Sequence, residues 1–404
     1  STNAGLSWTN GFLPGTTVFA SPAGAYPRVS DPTVAYDAKH GVWLISYLGF
    51  FSANSSADVL VSRSTDGLTW SNPIVINNDG HFNDKNWTAC DSTASSPFYG
   101  NCYTEFDDNT QGNLILMSTS HDGGLTWGAG LPTANDAHGL GGQPLVQPNG
   151  NVVVPILGLA GGQVVSIIMS FTSSNGGMSW AKTNNIAPAD FHPPAGGIRA
   201  DIPLPSAEMD AAGKVYVVWS DCVFAPGCRA NDLVMSTSTD GKKWSRITRI
   251  PLEPRGSGVD HFLPGVAVDR STSGNTAHLA VTYYYYPNAS CTVDTCQLYV
   301  GVSTSADGGA SWTPGTPLAG PMALTWLPST SQGYMVGDYI STSFSGGLAY
   351  PAVAVAHAPL GSVLDEATYT AQGGIAVGGS AIAATDQVSS GSSLVPTSSS
   401  ITLH

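Results

Sequence analysis

One motif returns along the whole chain, and it limits the fold more than any other feature. It reads in full as Ser1-Thr-Asn-Ala-Gly-Leu-Ser-Trp8, Ser120-His-Asp-Gly-Gly-Leu-Thr-Trp127, Ser173-Ser-Asn-Gly-Gly-Met-Ser-Trp180 and Ser305-Ala-Asp-Gly-Gly-Ala-Ser-Trp312. Versions one residue shorter are Ser64-Thr-Asp-Gly-Leu-Thr-Trp70 and Ser238-Thr-Asp-Gly-Lys-Lys-Trp244. The six tryptophans follow one another at intervals of 53 to 68 residues. Such a period marks one supersecondary unit stacked repeatedly around or along an axis. The motif has the chemistry of a tight turn: Asp or Asn binds the amides ahead of it and Gly supplies positive φ. The Trp adds a large apolar anchor. All of this is structural work, so no residue of the motif is expected to be catalytic.

The segments between motifs read as strands. Pro32–Asp37, Trp43–Leu48 and Val59–Arg63 precede one copy. Pro205–Asp210, Lys214–Ser220 and Asp232–Ser236 precede another, and Pro264–Asp269, Ala277–Tyr286 and Gln297–Ser303 a third. Each run is rich in β-branched and aromatic residues and ends at turn formers. With 47 glycines and only 10% charged residues, the composition suits short strands and leaves little for amphipathic helices. The expected fold is all-β: a six-bladed β-propeller with four-stranded antiparallel blades, a seventh, motif-less blade being the alternative. Tyr334–Phe344, Tyr350–His357 and Glu366–Thr370 are expected to share one blade with the N-terminal motif and the strand after it, closing the ring and removing sheet edges. The propeller is expected over residues 1–371. Residues 372–404, rich in Gly, Ser, Thr and Ala, read as a tail or linker.

Six cysteines fall into close pairs, Cys90/Cys102, Cys222/Cys228 and Cys291/Cys296, which favours three local bridges and an oxidising, extracellular compartment. The spacing is not that of a zinc site. No signal peptide is present, so the chain reads as mature or trimmed. The most apolar stretch, 151–170, is broken by Pro155 and Gly161-Gly162, and reads as two buried strands, with no membrane span. A net charge of −14 repels phosphate backbones and argues against nucleic acid. The chain is expected to be a monomer.

The repeated motif resembles the Asp-box, or BNR repeat, of the sialidase-like secreted β-propellers. That resemblance fits the fold across the whole chain and implies carbohydrate as the partner. It is less specific for activity, since the superfamily holds hydrolases, lyases and non-catalytic binders. Enzymes of this kind hold a sugar carboxylate with clustered arginines. A Tyr activated by Glu is the nucleophile and an Asp the acid/base. The implied function is a sialidase-like glycoside hydrolase acting on an acidic or terminal sugar at the channel mouth. A non-catalytic glycan- or protein-binding module and a polysaccharide lyase are the alternatives.

Aligning the innermost strands on their shared Pro sorts the candidates. Ala35, Gln147, Glu208, Ala267 and Ala89 are expected to face a wet channel, with Glu208 its carboxylate and the bulky neighbours packing between blades. Arg28, Asp201 and Asp260 stand four residues before that Pro in three blades and are expected to converge on one rim. Arg199, Asp31, Asp84, Lys85 and His261 lie nearby, and Gly337-Asp-Tyr-Ile340 comes from the last blade. The expected catalytic set is Asp84 or Asp260 as acid, Glu208, and Tyr339 or Tyr103 as nucleophile. Arg28, Arg199, Asp31, Lys85, Asp201, His261 and Asp338 are expected to bind substrate. Tyr26-Pro-Arg-Val-Ser30 departs from the family's Arg-Ile-Pro signature, and Arg229 and Arg255 compete for the third arginine. No metal-protease, P-loop, GxSxG or dinucleotide motif is present, so no cofactor is expected. Ca²⁺ held by Asp84, Asp260 and Asp338 is the one metal reading. Asn54, Asn86 and Asn288 head glycosylation triplets.

Overall fold

The structure is a computed structural model that describes residues 7, 9–52, 55–160 and 163–378. Six antiparallel sheets follow one another along the chain as the blades of a six-bladed β-propeller. Their innermost strands are Arg28–Asp37, Asn83–Cys90, Leu145–Val146, Ser206–Met209, Asp260–Val268 and Ser341–Ser345, in blades 1 to 6. In blades 1, 2, 4 and 5 each following strand pairs outward with the one before it, the meander that short turns dictate. Blade 3 adds Gly139–Leu140 beside its second strand, Val152–Ala160. In blade 6 the long strand Leu348–Leu360 pairs with Ser341–Ser345 on one side, and with Val363–Tyr369 and Ile375–Ala376 on the other. The last paired residues thus lie a few positions past the expected boundary at 371.

Five copies of the motif close the turn after the third strand by one set of bonds. In blade 1, Ser64 Oγ donates to Asp66 Oδ1 (2.9 Å), and the Leu68 and Thr69 amides donate to the same oxygen (2.8 and 2.7 Å). Ser120/Asp122, Ser173/Asn175, Ser238/Asp240 and Ser305/Asp307 repeat the arrangement. The glycine between is left-handed in each, as at Gly67 (φ 72°), a conformation open to it at no steric cost. The copy at Ser1–Trp8 lies, Ser7 apart, outside the described residues. The strand expected to follow it into the last blade does not form there, since all described strands of that blade come from residues 341–376. Residues 13–26 pack instead on blade 1, where Tyr26 donates to Asp58 (2.7 Å) and Leu13 lies against Tyr47 and Leu60.

Apolar clusters fill the spaces between neighbouring blades. Ala35, Val42, Leu44 and Leu48 of blade 1 meet Cys102, Phe106 and Leu116 of blade 2. The Tyr283–Tyr286 run packs as expected, with Tyr283, Tyr284 and Tyr286 buried and Tyr284 bonded to the Ala354 carbonyl. This packing corrects the expected division of the innermost strands. Both faces of a blade meet other blades, so strand alternation sorts residues between two neighbours and not between channel and blade. Ala35 and Ala89 border the channel as expected, but so do Val34 and Tyr36, which are 61% and 43% exposed, while Ala267 is buried away from it. Gln147 turns toward blade 4, donating to the Gly213 and Thr239 carbonyls.

The three expected disulfides are present, Cys90–Cys102, Cys222–Cys228 and Cys291–Cys296. Asn86 is buried and donates to Ser46 Oγ (3.0 Å), which rules it out as a glycan acceptor in the folded chain. Asn288 is exposed. Among the described residues no helix is long and apolar enough to cross a membrane.

Candidate functional site

All six innermost strands line a central channel, with Val34, Thr88, Pro144, Ala207, Val266 and Thr342 among the residues around it. It has two ends, one where the strands start and one where they finish. At the starting end three of the strands are irregular in the same way. The pairing slips between Ser30 and Thr33, between Asp84 and Trp87, and between Phe262 and Gly265. At each slip one non-glycine residue is left-handed: Asp31 (φ 52°), Lys85 (φ 55°) and Leu263 (φ 50°). Bulges of this kind re-aim side chains, and strained non-glycine backbone concentrates at functional sites.

Two of these bulges bring charge together. The Lys85 ammonium is buried, hydrogen-bonded to Asp338, 3.8 Å from Asp31 and 4.0 Å from Asp84. Arg199, on the connection from blade 3 to blade 4, binds the same Asp338 oxygen at 2.6 Å. It is held there because its amide donates to the Tyr334 carbonyl, joining that connection to the one that leads into blade 6. Residues from blades 1 and 2 and from two connections thus meet at one mouth. Burial alone would lower the Lys85 pKa, but Asp84, Asp31 and Asp338 overcome it and hold it above the usual lysine range. Burial pushes the Asp84 carboxyl up against the pull of Lys85, and Asp31 and Asp338 add to the rise.

Beneath this layer lie groups that the sequence reading missed. Glu105 and Asp107, on the second strand of blade 2, face inward, with Asp107 paired opposite Asp84 and Glu105 opposite Trp87. Both are fully buried. Burial drives both carboxyls well above the carboxylate range, and Asp84 adds to each. The Gly142 amide faces the Glu105 carboxyl and pulls it partly back down, yet neither Glu105 oxygen makes a hydrogen bond of normal geometry, nor do Asp107 Oδ1, Asp31 Oδ2 and the Tyr339 hydroxyl. The Tyr339 ring lies edge-on to Trp87, its centroid 5.7 Å away. Tyr339 and Glu105 stand over consecutive glycines: a Cβ on Gly141 would come 3.3 Å from the Tyr339 hydroxyl, and one on Gly142 would strike the Glu105 carboxyl. Burial raises the Tyr339 phenol well above its usual value, with Asp31 and Asp84 adding to it. Native proteins leave few buried polar atoms unpaired, and this mouth collects five.

The remaining expected residues make no bond to this cluster. Arg28 is exposed, its guanidinium 4.4 Å over the Phe50 ring, and Asp201 is exposed without a polar partner. Asp260 is buried, accepting from the Asn231 amide and side chain with His192 3.4 Å away. No hydrogen bond or ion pair among the described residues joins these three to one another. Arg28 and Asp260 each open an innermost strand, four residues before the Pro of a matching bulge, whereas Asp201 precedes the strand of its own blade. Asp260 is also separate from the Asp84–Asp338 cluster, so the expected Ca²⁺ ligands do not meet. His261 binds Glu253 (3.1 Å) and the Asn231 carbonyl between blades 4 and 5, beside Asp232. Arg249 already supplies the cation to Asp232 and Glu253. Asp79, His81 and Asp108 form another close group, in which Gln111 and Asn83 also bind the carboxylates. Tyr103 is buried edge-on to Trp180. Glu208 does line the channel, at its far end, where Arg270 (2.6 Å) and the Met209 amide hold it. Arg255 binds the Phe224 carbonyl through Nε.

No protein-family model matches the chain, and no curated protein matches it. Solved structures do. The Hadza microbial sialidase Hz136 is similar with a TM-score of 0.52 at 13% identity, over 81% of this chain and 63% of that one. The NanB sialidase from Streptococcus pneumoniae gives 0.51 at 12% identity, over 85% of this chain and 67% of that one. A protein of unknown function from Dyadobacter fermentans gives 0.50 at 13% identity, over 85% and 94%. The chain spans less than two thirds of the Hadza enzyme. At such identities the likeness is one of fold: this chain is a β-propeller of the kind on which those sialidases are built.

Proposed function

We propose that the chain is a secreted glycoside hydrolase acting on a terminal sugar at the strand-start mouth. One observation carries the reading: Asp31 and Asp84 lie within 4.0 Å of the same buried ammonium, above several unpartnered polar atoms. Two carboxylates held so close are no further apart than the pair of a glycosidase, about 5 to 9.5 Å. Asp84 is the proton donor. Its side chain is 27% exposed at the mouth, and burial keeps its proton to higher pH than an ordinary carboxyl. Asp31 is the partner carboxylate, at the anomeric carbon or on a water beside it. Lys85 and Arg199 fix Asp338, and with it the segment that carries Tyr339.

A second reading takes Tyr339 as nucleophile with Glu105 as its proton acceptor, as in the sialidase-like enzymes. The unpartnered Tyr339 hydroxyl, over the turn that also meets Glu105, favours it. Secretion rests on the three disulfides.

Hydrolysis of aryl glycosides by parent, Asp84→Asn, Asp31→Ala and Tyr339→Phe tests both readings. Loss of the proton donor is expected to lower kcat/KM about 10²–10⁴-fold. The loss is largest for poor leaving groups. Azide restores Asp31→Ala if Asp31 is the nucleophile, whereas a Tyr339→Phe loss as deep as that of Asp84→Asn favours the tyrosine. No turnover on any glycoside by the parent would overturn the hydrolase reading and leave a binding module.

A further inference from the structure

We infer that the sugar accepted at the strand-start mouth is a neutral, polyhydroxy one and not a carboxylate-bearing one. The inference rests on that mouth being a glycan site, and it concerns which glycan.

The cations there are already engaged. Lys85 and Arg199 both bind Asp338, and Lys85 also faces Asp31 and Asp84. Arg28 stacks on Phe50 and Arg270 binds Glu208 at the far end. Among the described residues no guanidinium but that of Arg199 lies within 4.0 Å of Asp31, Asp84 or Asp338, and Arg199 is already paired, so none is placed there to fork onto a sugar carboxylate, the geometry that makes arginine the usual reader of that group. An anionic sugar would instead meet Asp31, Asp84 and Asp338, with Glu105 and Asp107 below them.

The unpartnered atoms say what the ligand brings. Both Glu105 oxygens, Asp107 Oδ1 and Asp31 Oδ2 are buried and make no hydrogen bond of normal geometry, although the Gly142 amide faces Glu105 and Lys85 stands 3.8 Å from Asp31, and as oxygens of carboxyl groups all can accept. Glu105 is fully buried, so bulk water does not satisfy it. The hydroxyls of a neutral sugar donate to such oxygens without adding charge. A sugar hydroxyl can equally accept from the Tyr339 phenol. Trp87, partly exposed beside Tyr339, offers an apolar surface to the C–H face of a ring. A site built to bond hydroxyls discriminates steeply against ligands that leave its polar groups unpaired.

Saturation-transfer NMR on the full chain tests the inference without requiring turnover. The probes are methyl glycosides of neutral pentoses and hexoses, a methyl sialoside and a methyl glucuronide. The neutral probes are expected to bind, and the two acidic ones about tenfold more weakly or not at all. Glu105→Leu is expected to weaken the neutral probes about tenfold. Asp31→Asn, a milder change at a left-handed position that Asn tolerates, gives the same direction if Glu105→Leu fails to fold. Arg270→Ala leaves binding unchanged. Sialoside or glucuronide binding as tight as the neutral probes would overturn the inference. So would neutral binding indifferent to both variants, or Ca²⁺ binding in calorimetry that Asp31→Asn abolishes. Neutral sugars that bind without being cleaved would defeat the hydrolase reading and leave this one standing.

Discussion

The two ends of the channel are built from the same strands, yet they differ in kind. Where the innermost strands finish, pairing is regular and Glu208 is matched by Arg270 and the Met209 amide. Where they start, bulges turn Asp31 and Lys85 into left-handed backbone, and five buried polar atoms lack partners. Among the described residues, five such atoms gather at the starting end against one, Gln147 Oε1, at the finishing end, an imbalance that fits a ligand at the former. The strand-finish side also carries the repeated turns, whose Ser–Asp bonds are complete within themselves.

Breaking the charge hub should give the largest effect. Lys85→Met leaves Asp31, Asp84 and Asp338 facing one another in a buried site, and denaturant unfolding should show a loss of about 3–5 kcal/mol. A loss under about 1 kcal/mol would mean that the mouth is as solvated as an ordinary surface and that the contrast between the ends is false.

A smaller effect sharpens the same contrast through pH. Glu105 and Asp107 have folded-state pKa values well above their unfolded ones, so the native state binds more protons. Stability from these groups is complete below the unfolded carboxyl range and declines as pH rises from there toward the folded values. Glu105→Leu removes one such group. Its melting temperature should therefore fall less than the parent's between pH 5 and pH 8. An equal fall in both proteins would remove Glu105 from the buried, unpaired set.

The smallest effect belongs to the other end. Arg270 is half exposed, so Arg270→Ala should cost less than about 1 kcal/mol and leave glycoside turnover unchanged. A loss of activity there would move the site to the strand-finish mouth.

The fold was legible because the repeat reports on turns, and turns depend on local chemistry that each short copy carries in full. The disulfides were legible for a similar reason, as each pair closes a short connection. The site was only partly legible. Asp31, Asp84, Lys85, Arg199, Asp338 and Tyr339 stand out as charge or tyrosine near the starts of innermost strands, and the structure gathers them. Arg28, Asp201 and Asp260 were placed by counting back from a Pro, which finds the strand start in blades 1 and 5 but says nothing of the partners each side chain takes. Glu105 and Asp107 escaped because attention stayed on innermost strands. Their signal was nonetheless present: Cys102–Asp108 carries three carboxylates within four residues of a strand buried along its whole length. The split of Ala35 from Val34 and Tyr36 was misread for a different reason. Alternation says which residues share a face, but not what that face meets.

The most direct measurement is a crystal structure of the chain soaked with a neutral monosaccharide. The account predicts the sugar over Asp31, Asp84 and Lys85, with hydroxyls reaching Glu105 and Tyr339. A sugar bound beside Glu208 and Arg270, or in the surface groove formed by Thr119, Trp127 and Met178, would contradict it.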